Sequence, residues 1–162
     1  MNAKNWLVGV VEGLKGNPPV DFAGMGLIVC KPGLPLPLTS LVPRNALPVL
    51  PNSGLEETVE FLRRVTSKRS PYHDGFHLID GQEARVVGVS YFMAPPLPEA
   101  TGIDQFERPI GARHMAALLG SRIEGVTLVL TMDPSMTVSV FIQGALVDFD
   151  EWVKTKDSTH AH

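Results

Sequence analysis

A chain of 162 residues with a formal net charge of −3 fits one domain, large enough to bury about two-thirds of the surface its unfolded form exposes. Fourteen Lys and Arg against seventeen Asp and Glu give no overall field for a nucleic-acid backbone, and the single cysteine, Cys30, excludes an intramolecular disulfide. The early apolar run Trp6 to Val11 is short and is followed by Glu12 and Lys15, which argues against a signal peptide or a membrane span; the expected location is cytoplasmic, without DNA, RNA or membrane partners.

From the N-terminus, Leu7, Val10, Val11 and Leu14 recur at helical spacing and predict a packing helix over Asn5 to Leu14, ended by Gly16-Asn17-Pro18-Pro19. Gly26 to Cys30 reads as a first buried strand. Between Lys31 and Pro51 the prolines come too often for a helix or a central strand, and so long a connection is expected to be a lid or a partner surface. A second helix is predicted from Gly54 to about Ser67, with Ser53 and Glu56 as a capping box and Leu55, Val59, Leu62 and Val65 as its apolar stripe. Its basic end, Arg63, Arg64, Lys68 and Arg69, reads more simply as a complement to the helix dipole than as a phosphate site.

After Pro71, the runs Phe76 to Ile79 and Ala84 to Phe92 predict a hairpin closed by Asp80-Gly81. A second proline-rich loop from Pro95 to Pro109 leads into a helix starting at Gly111. Val126 to Thr131 and Thr137 to Ile142 read as paired strands, with Gln143-Gly144 as a further turn and with Phe149 and Trp152 capping the core. The order predicts an α+β fold with α/β-like layers: one domain over residues 1–153, a central mixed sheet with helices on both faces, and a disordered polar tail over 154–162.

Two stretches carry chemistry. His73-Asp74-Gly75-Phe76 puts an imidazole, a carboxylate and a flexible glycine where an apolar strand begins, and Gly111-Ala112-Arg113-His114 puts a cation and an imidazole where a helix starts. Each has a plainer reading, Asp74-Gly75 as a turn and Arg113-His114 as a solvated helix start, so it is the pair that suggests an anion-binding pocket. His77 would share a strand face with His73, but four residues at about 3.3 Å each put the two about 13 Å apart, too far for one metal ion. A structural role is expected for His77.

The two stretches and their separation resemble the diadenylate cyclase (DAC) domain family, whose motifs are His-Asp-Gly-Ala, then Gly-Thr-Arg-His-Arg, then a strand ending in Ser-Glu-Glu. The resemblance covers roughly residues 55–146 of this chain. It implies that two facing domains, hence a homo-oligomer, join two ATP molecules into cyclic di-AMP with manganese or magnesium. Carried over position by position, Asp74 is the catalytic carboxylate at the ribose hydroxyl and the metal, and His73 is a metal ligand. Gly75, Phe76, Tyr91, Phe92, Arg113 and His114 are the nucleotide-binding residues, with the aromatic pair flanking adenine and Arg113 and His114 on phosphate.

The departures bear on activity. Phe76 stands for the motif alanine, Ala112 for threonine, Met115 for the second arginine, and Met132-Asp133-Pro134 for Ser-Glu-Glu, leaving Asp133 as the one stand-in metal ligand there. At about 1.5 to 3 kcal/mol for each lost contact to a charged group, the deficit amounts to several decades in affinity or rate. The resemblance thus implies a degenerate cyclase acting as a sensor of an adenine nucleotide or a cyclic dinucleotide, with no metal. One alternative is an active, divergent cyclase whose manganese or magnesium site is rebuilt from His73, Asp74 and Asp133. Another is an interaction domain that binds no nucleotide and works through the proline-rich loops.

Overall fold

A computed structural model describes residues 2–51 and 54–155. Helix α1 (Ala3–Gly16) begins where the Asn2 side chain accepts from the Asn5 amide and buries the apolar stripe of Trp6, Leu7, Val10, Val11 and Leu14. It leads into strand β1 (Met25–Cys30), every residue of which is buried. Helix α2 (Leu55–Val65) stops short of the expected Ser67, with Thr66 at its C-cap, where both the Thr66 amide and its hydroxyl donate to the Leu62 carbonyl. The expected capping residue Ser53 lies outside the described residues, and Gly54 stands at the N-cap without a side-chain bond. The basic end of α2 is used structurally: Arg63 donates to the Asn17 carbonyl at 2.7 Å and pairs with Glu60.

The predicted hairpin is β3 (Phe76–Asp80) and β4 (Arg85–Met93). Four residues join the two strands, the length expected though one position further on, and the Asp80 carboxylate accepts from the amides of Gln82 and Glu83 while the Ala84 amide donates to the Asp80 carbonyl. Helix α3 (Ala112–Gly120) follows, then β5 (Val126–Met132) and β6 (Val138–Ile142).

Three elements depart from the expectations. The first proline-rich loop contains a short edge strand, β2 (Leu38–Ser40), paired antiparallel with β4. The Gln143-Gly144 turn is followed by a seventh strand, β7 (Ala145–Asp148), and Phe149 and Trp152 lie on a helix, α4 (Phe149–Lys154), that the Asp148 carboxylate caps. Lys154, expected to open a disordered tail, therefore belongs to α4, and Thr155 is held by Lys4. Residues 156–162, the remainder of the expected tail, lie outside the described residues.

One seven-stranded mixed sheet results, in the order β2-β4-β3-β1-β5-β6-β7. Only β1 and β3 run parallel, which requires a crossover, and α2 supplies it. Alternation along β1 and β5 divides the core. Met25, Leu27, Val29, Leu128, Leu130 and Met132 face α1, α2 and α4, while Ile28, Cys30 and Val129 face α3 with Phe76, Met93 and Phe141. Helices thus cover both faces, as the element order predicts. Parallel pairing of β1 with β3 brings the start of β1 beside His73 to Phe76, and α3 packs over that end of the sheet.

Candidate functional site

The turn before β3 is built from its own side chains. His73 Nδ1 lies 2.6 Å from the Ser70 carbonyl, and because a carbonyl only accepts, Nδ1 carries the proton. His73 Nε2 then faces Asp74 Oδ1 at 3.5 Å, and the Asp74 carboxylate is largely exposed. His73 sits in this turn rather than on the strand face expected to carry it with His77. Gly75 has φ +76°, and a Cβ there would stand 2.5 Å from the Tyr91 carbonyl oxygen, so both conformation and space require glycine. Phe76 is buried and its ring packs on Gly26, filling the core between β1 and β3 while flooring the groove beside them.

Arg113, in the first turn of α3, reaches over the start of β1. Its Nη1 donates to the Ala23 carbonyl at 3.5 Å, and a Cβ on Gly24 would stand 2.6 Å from Nη1, so only glycine lets the guanidinium lie there. Burial pushes the guanidinium below its ordinary value and the Asp74 charge partly offsets this, which places Asp74 and Arg113 in one electrostatic neighbourhood. Arg113 remains a cation. Asp74 and Arg113 converge at one end of the sheet, as the paired motifs predict.

Arg113 stands between two grooves. One, of about 190 Å³, is lined by Gly75, Phe76, Tyr91, Phe92, Ala112 and Arg113. Tyr91 pairs with Phe76 in register and its ring lies over Gly88 on the α3 side, whereas Phe92 is 56% exposed. The other groove, of about 180 Å³, is lined by Gly111, Arg113, His114, Thr131, Met132, Asp133 and Pro134. The His114 ring tilts against Phe141 with centroids 5.7 Å apart. All six residues expected to bind nucleotide thus line one or the other of two grooves that share Arg113.

Asp133 is spent on its own turn. Its Oδ1 accepts from the Ser135 amide, the Ser135 hydroxyl and the Thr137 amide at 2.7 to 2.9 Å. Burial pushes this carboxyl up, but these hydrogen bonds outweigh it and hold it below the usual carboxylate range. A depressed folded-state value contributes stability that is present above the unfolded value and lost as pH falls through the folded one. Asp133→Asn is therefore expected to destabilise the protein by about 1 kcal/mol at neutral pH and to leave part of the acid-induced loss absent, read from urea unfolding at several pH values. Equal unfolding midpoints for variant and parent at neutral pH would contradict this role.

The donors present suit a divalent cation poorly. Among the described residues no three His, Cys, Asp or Glu side chains group closely enough to hold a metal ion, so Asp133 is not brought to the His73 and Asp74 pair. Two donors beside the Arg113 cation fall short of the oxygen octahedron that magnesium requires. The missing motif residues serve packing instead. Met132 is fully buried on the α1 side, and Met115 packs against the α3 side of the core.

No family model matches the chain, and no curated protein matches it. Among solved structures, a Bacillus cereus protein described as a hypothetical membrane spanning protein superimposes with TM-score 0.60 at 18% identity, over 90% of this chain and 62% of that one. DacA from Staphylococcus aureus, as its N166C/T172C double mutant, superimposes with TM-score 0.55 at 15% identity, over 94% of this chain and 91% of that one. The fold is similar to that of DacA. The chain spans about three-fifths of the Bacillus protein's length, and among the described residues no helix is long and apolar enough to cross a membrane.

Within this DAC-like fold, two site residues carried no sequence signal. Ser90 is buried at φ +59°, a left-handed conformation that costs a non-glycine residue free energy. Its amide donates to His77 Nδ1 at 3.2 Å, its hydroxyl donates to the Asp74 carbonyl at 2.9 Å, and its carbonyl accepts from the Leu41 amide at 2.8 Å. A serine in the run Val89-Ser90-Tyr91 looks like any strand residue, yet this bulge ties the Asp74 turn, the buried His77 and the first proline-rich loop together. Thr131 is the second, hidden in a β-branched run.

Proposed function

We propose that this chain is a DAC-like nucleotide-binding domain, a degenerate diadenylate cyclase that senses an adenine nucleotide or a cyclic dinucleotide. The observation that carries this reading is Arg113, a half-buried cation placed by α3 beside the Asp74-Gly75 turn and between two grooves, one of which has an aromatic wall. In this reading a base stacks on Tyr91, the ribose lies along Gly75, and a phosphate meets Arg113 and His114. Likeness to DacA supports it at the level of fold. The residues favour binding over catalysis, because among the described residues no third His, Cys, Asp or Glu joins His73 and Asp74, and Met115 and Met132 are committed to the core.

Calorimetry with AMP, ADP, ATP and cyclic di-AMP, together with mass analysis of a reaction with ATP and manganese or magnesium, tests it. Binding of at least one of these ligands without formation of cyclic di-AMP is expected. Absence of binding for all four at high protein concentration would leave the interaction-domain alternative, and robust formation of cyclic di-AMP would establish the active cyclase.

A further inference from the structure

The end of the sheet opposite the Asp74 turn carries a second opening. Between α1 and α4, the end of β1, the start of β5 and the end of β6 leave a cleft of about 490 Å³, larger than either groove beside Arg113. Antiparallel register sets Val29 against Leu128 here and Met25 against Met132 beside Arg113, so the two sites stand at opposite ends of β1 and β5. The wall of the cleft belongs to the core. Leu7, Val29, Leu128 and Trp152 are each at most 7% exposed, and Ile142 packs against the same cluster.

One charge stands on this wall. Among the described residues Lys4, in the first turn of α1, is the single charged side chain lining the cleft, and no carboxylate lines it. The ammonium lies 5.3 Å from the Trp152 ring centroid and donates to the Thr155 hydroxyl at 3.0 Å and to the Thr155 carbonyl. Two of its three donors are thus used, both on neutral oxygens, and it forms no ion pair among the described residues. A lysine that merely snorkels sends its ammonium into water, whereas this one is held across an indole that lines the same apolar cleft.

We propose that this cleft binds a small amphipathic carboxylate, with the carboxylate on Lys4 and an alkyl or aryl body against Leu7, Ile142 and Trp152. A concave, mostly apolar site of this size with one placed polar group is the common form of a small-molecule pocket. The class of ligand follows from the wall. Apolar surface supplies attraction without choosing a head group, and Lys4 chooses it. A cationic head would face the ammonium with no carboxylate to offset it, and a neutral head would leave the ammonium without a counter-ion. A dianionic phosphate would bring a second charge into an apolar wall that has one cation to meet it. The site lies apart from the nucleotide grooves and does not rest on them.

Octanoate, octanol and octylamine share a chain and differ in charge, and titrating each by calorimetry tests the site. Octanoate is expected to bind about tenfold more tightly than octanol, and octylamine more weakly than either. Lys4→Met, which keeps an apolar stem, is expected to lower octanoate affinity about tenfold and to leave octanol within about threefold, while Lys4→Arg keeps octanoate within about threefold of the parent. Thr127→Trp, at an exposed position on the cleft wall, is expected to weaken octanoate and octanol alike without lowering the melting temperature. Its AMP affinity should equal the parent's, because the grooves beside Arg113 are at the other end of the sheet. Absence of octanoate binding by the parent, equal affinity for octanoate and octylamine, or octanoate affinity unchanged in Thr127→Trp would each overturn the site. A merely structural Lys4 would lower the melting temperature in Lys4→Met with octanoate and octanol affinities moving together, which would also overturn it. So would a parent that sediments as a dimer and binds no octanoate while Thr127→Trp sediments as a monomer, since a second copy would then fill the cleft.

Discussion

Lowering the pH from about 7.5 to about 4.5 is expected to cost this fold about 2 to 3 kcal/mol through one side chain, His77. His77 is fully buried on β3, and burial first, then the nearby Arg113 charge, push its imidazole down from 6.5 to about 4. The unfolded chain therefore binds a proton that the folded protein refuses throughout that interval. Stability is fully present above 6.5 and falls as pH drops toward 4, the direction required when the unfolded state holds more protons. Hydrogen bonding explains why the neutral ring is kept. The Ser90 amide donates to Nδ1, so the proton sits on Nε2, which is buried without a partner among the described residues. Protonation would remove that acceptor, release the strained Ser90, and loosen its hold on the Asp74 carbonyl. Urea unfolding of the parent and of His77→Gln, whose amide oxygen can still accept from Ser90, checks this. The variant should lose much less stability between the two pH values; parallel losses would show that another group is responsible.

What the sequence discloses and what it hides divide along physical lines. The β3–β4 hairpin, α3, β5 and β6 were legible because periodicity and turn chemistry are local, and the two motifs were legible because each packs several polar groups into a few residues. Strand β2 was not, since proline on a flanking residue argues against a central strand but leaves an edge strand open. Likewise β7 is four mostly exposed residues, a pattern shared with loops, and α4 is too short for a helical period to register. Convergence of Asp74 with Arg113 follows from the parallel β1–β3 pairing and from the face that α3 covers, which the residue spacing suggested but only the topology fixes. Ser90 and Thr131 were illegible for a different reason. Their roles lie in a backbone angle and an unmet hydrogen bond, neither of which leaves a trace in residue type.

Replacing Arg113 by methionine is expected to lower the affinity for AMP or ADP about 30-fold or more, while adenosine affinity changes less than about threefold. The difference follows from what the guanidinium does without a ligand: among the described residues it makes one long hydrogen bond, to the Ala23 carbonyl, so most of its donors await a partner. A contact to phosphate by a charged donor is worth about 1.5 to 3 kcal/mol, and none of that is available to adenosine. The fold should tolerate the change. Methionine keeps an apolar stem of similar reach, and removing a half-buried cation ends a desolvation cost that one weak hydrogen bond and the nearby Asp74 offset only in part. Arg113→Lys should recover part of the affinity, since an ammonium keeps the charge but loses the planar fork. The same variant reports on His77. Because Arg113 is the second cause of that histidine's depressed value, Arg113→Met should shrink the acid-induced loss of stability, though less than His77→Gln does, as burial remains. Equal AMP affinity in parent and Arg113→Met would remove the phosphate from this end of the sheet, and an unchanged pH profile would show that Arg113 and His77 are not electrostatically linked.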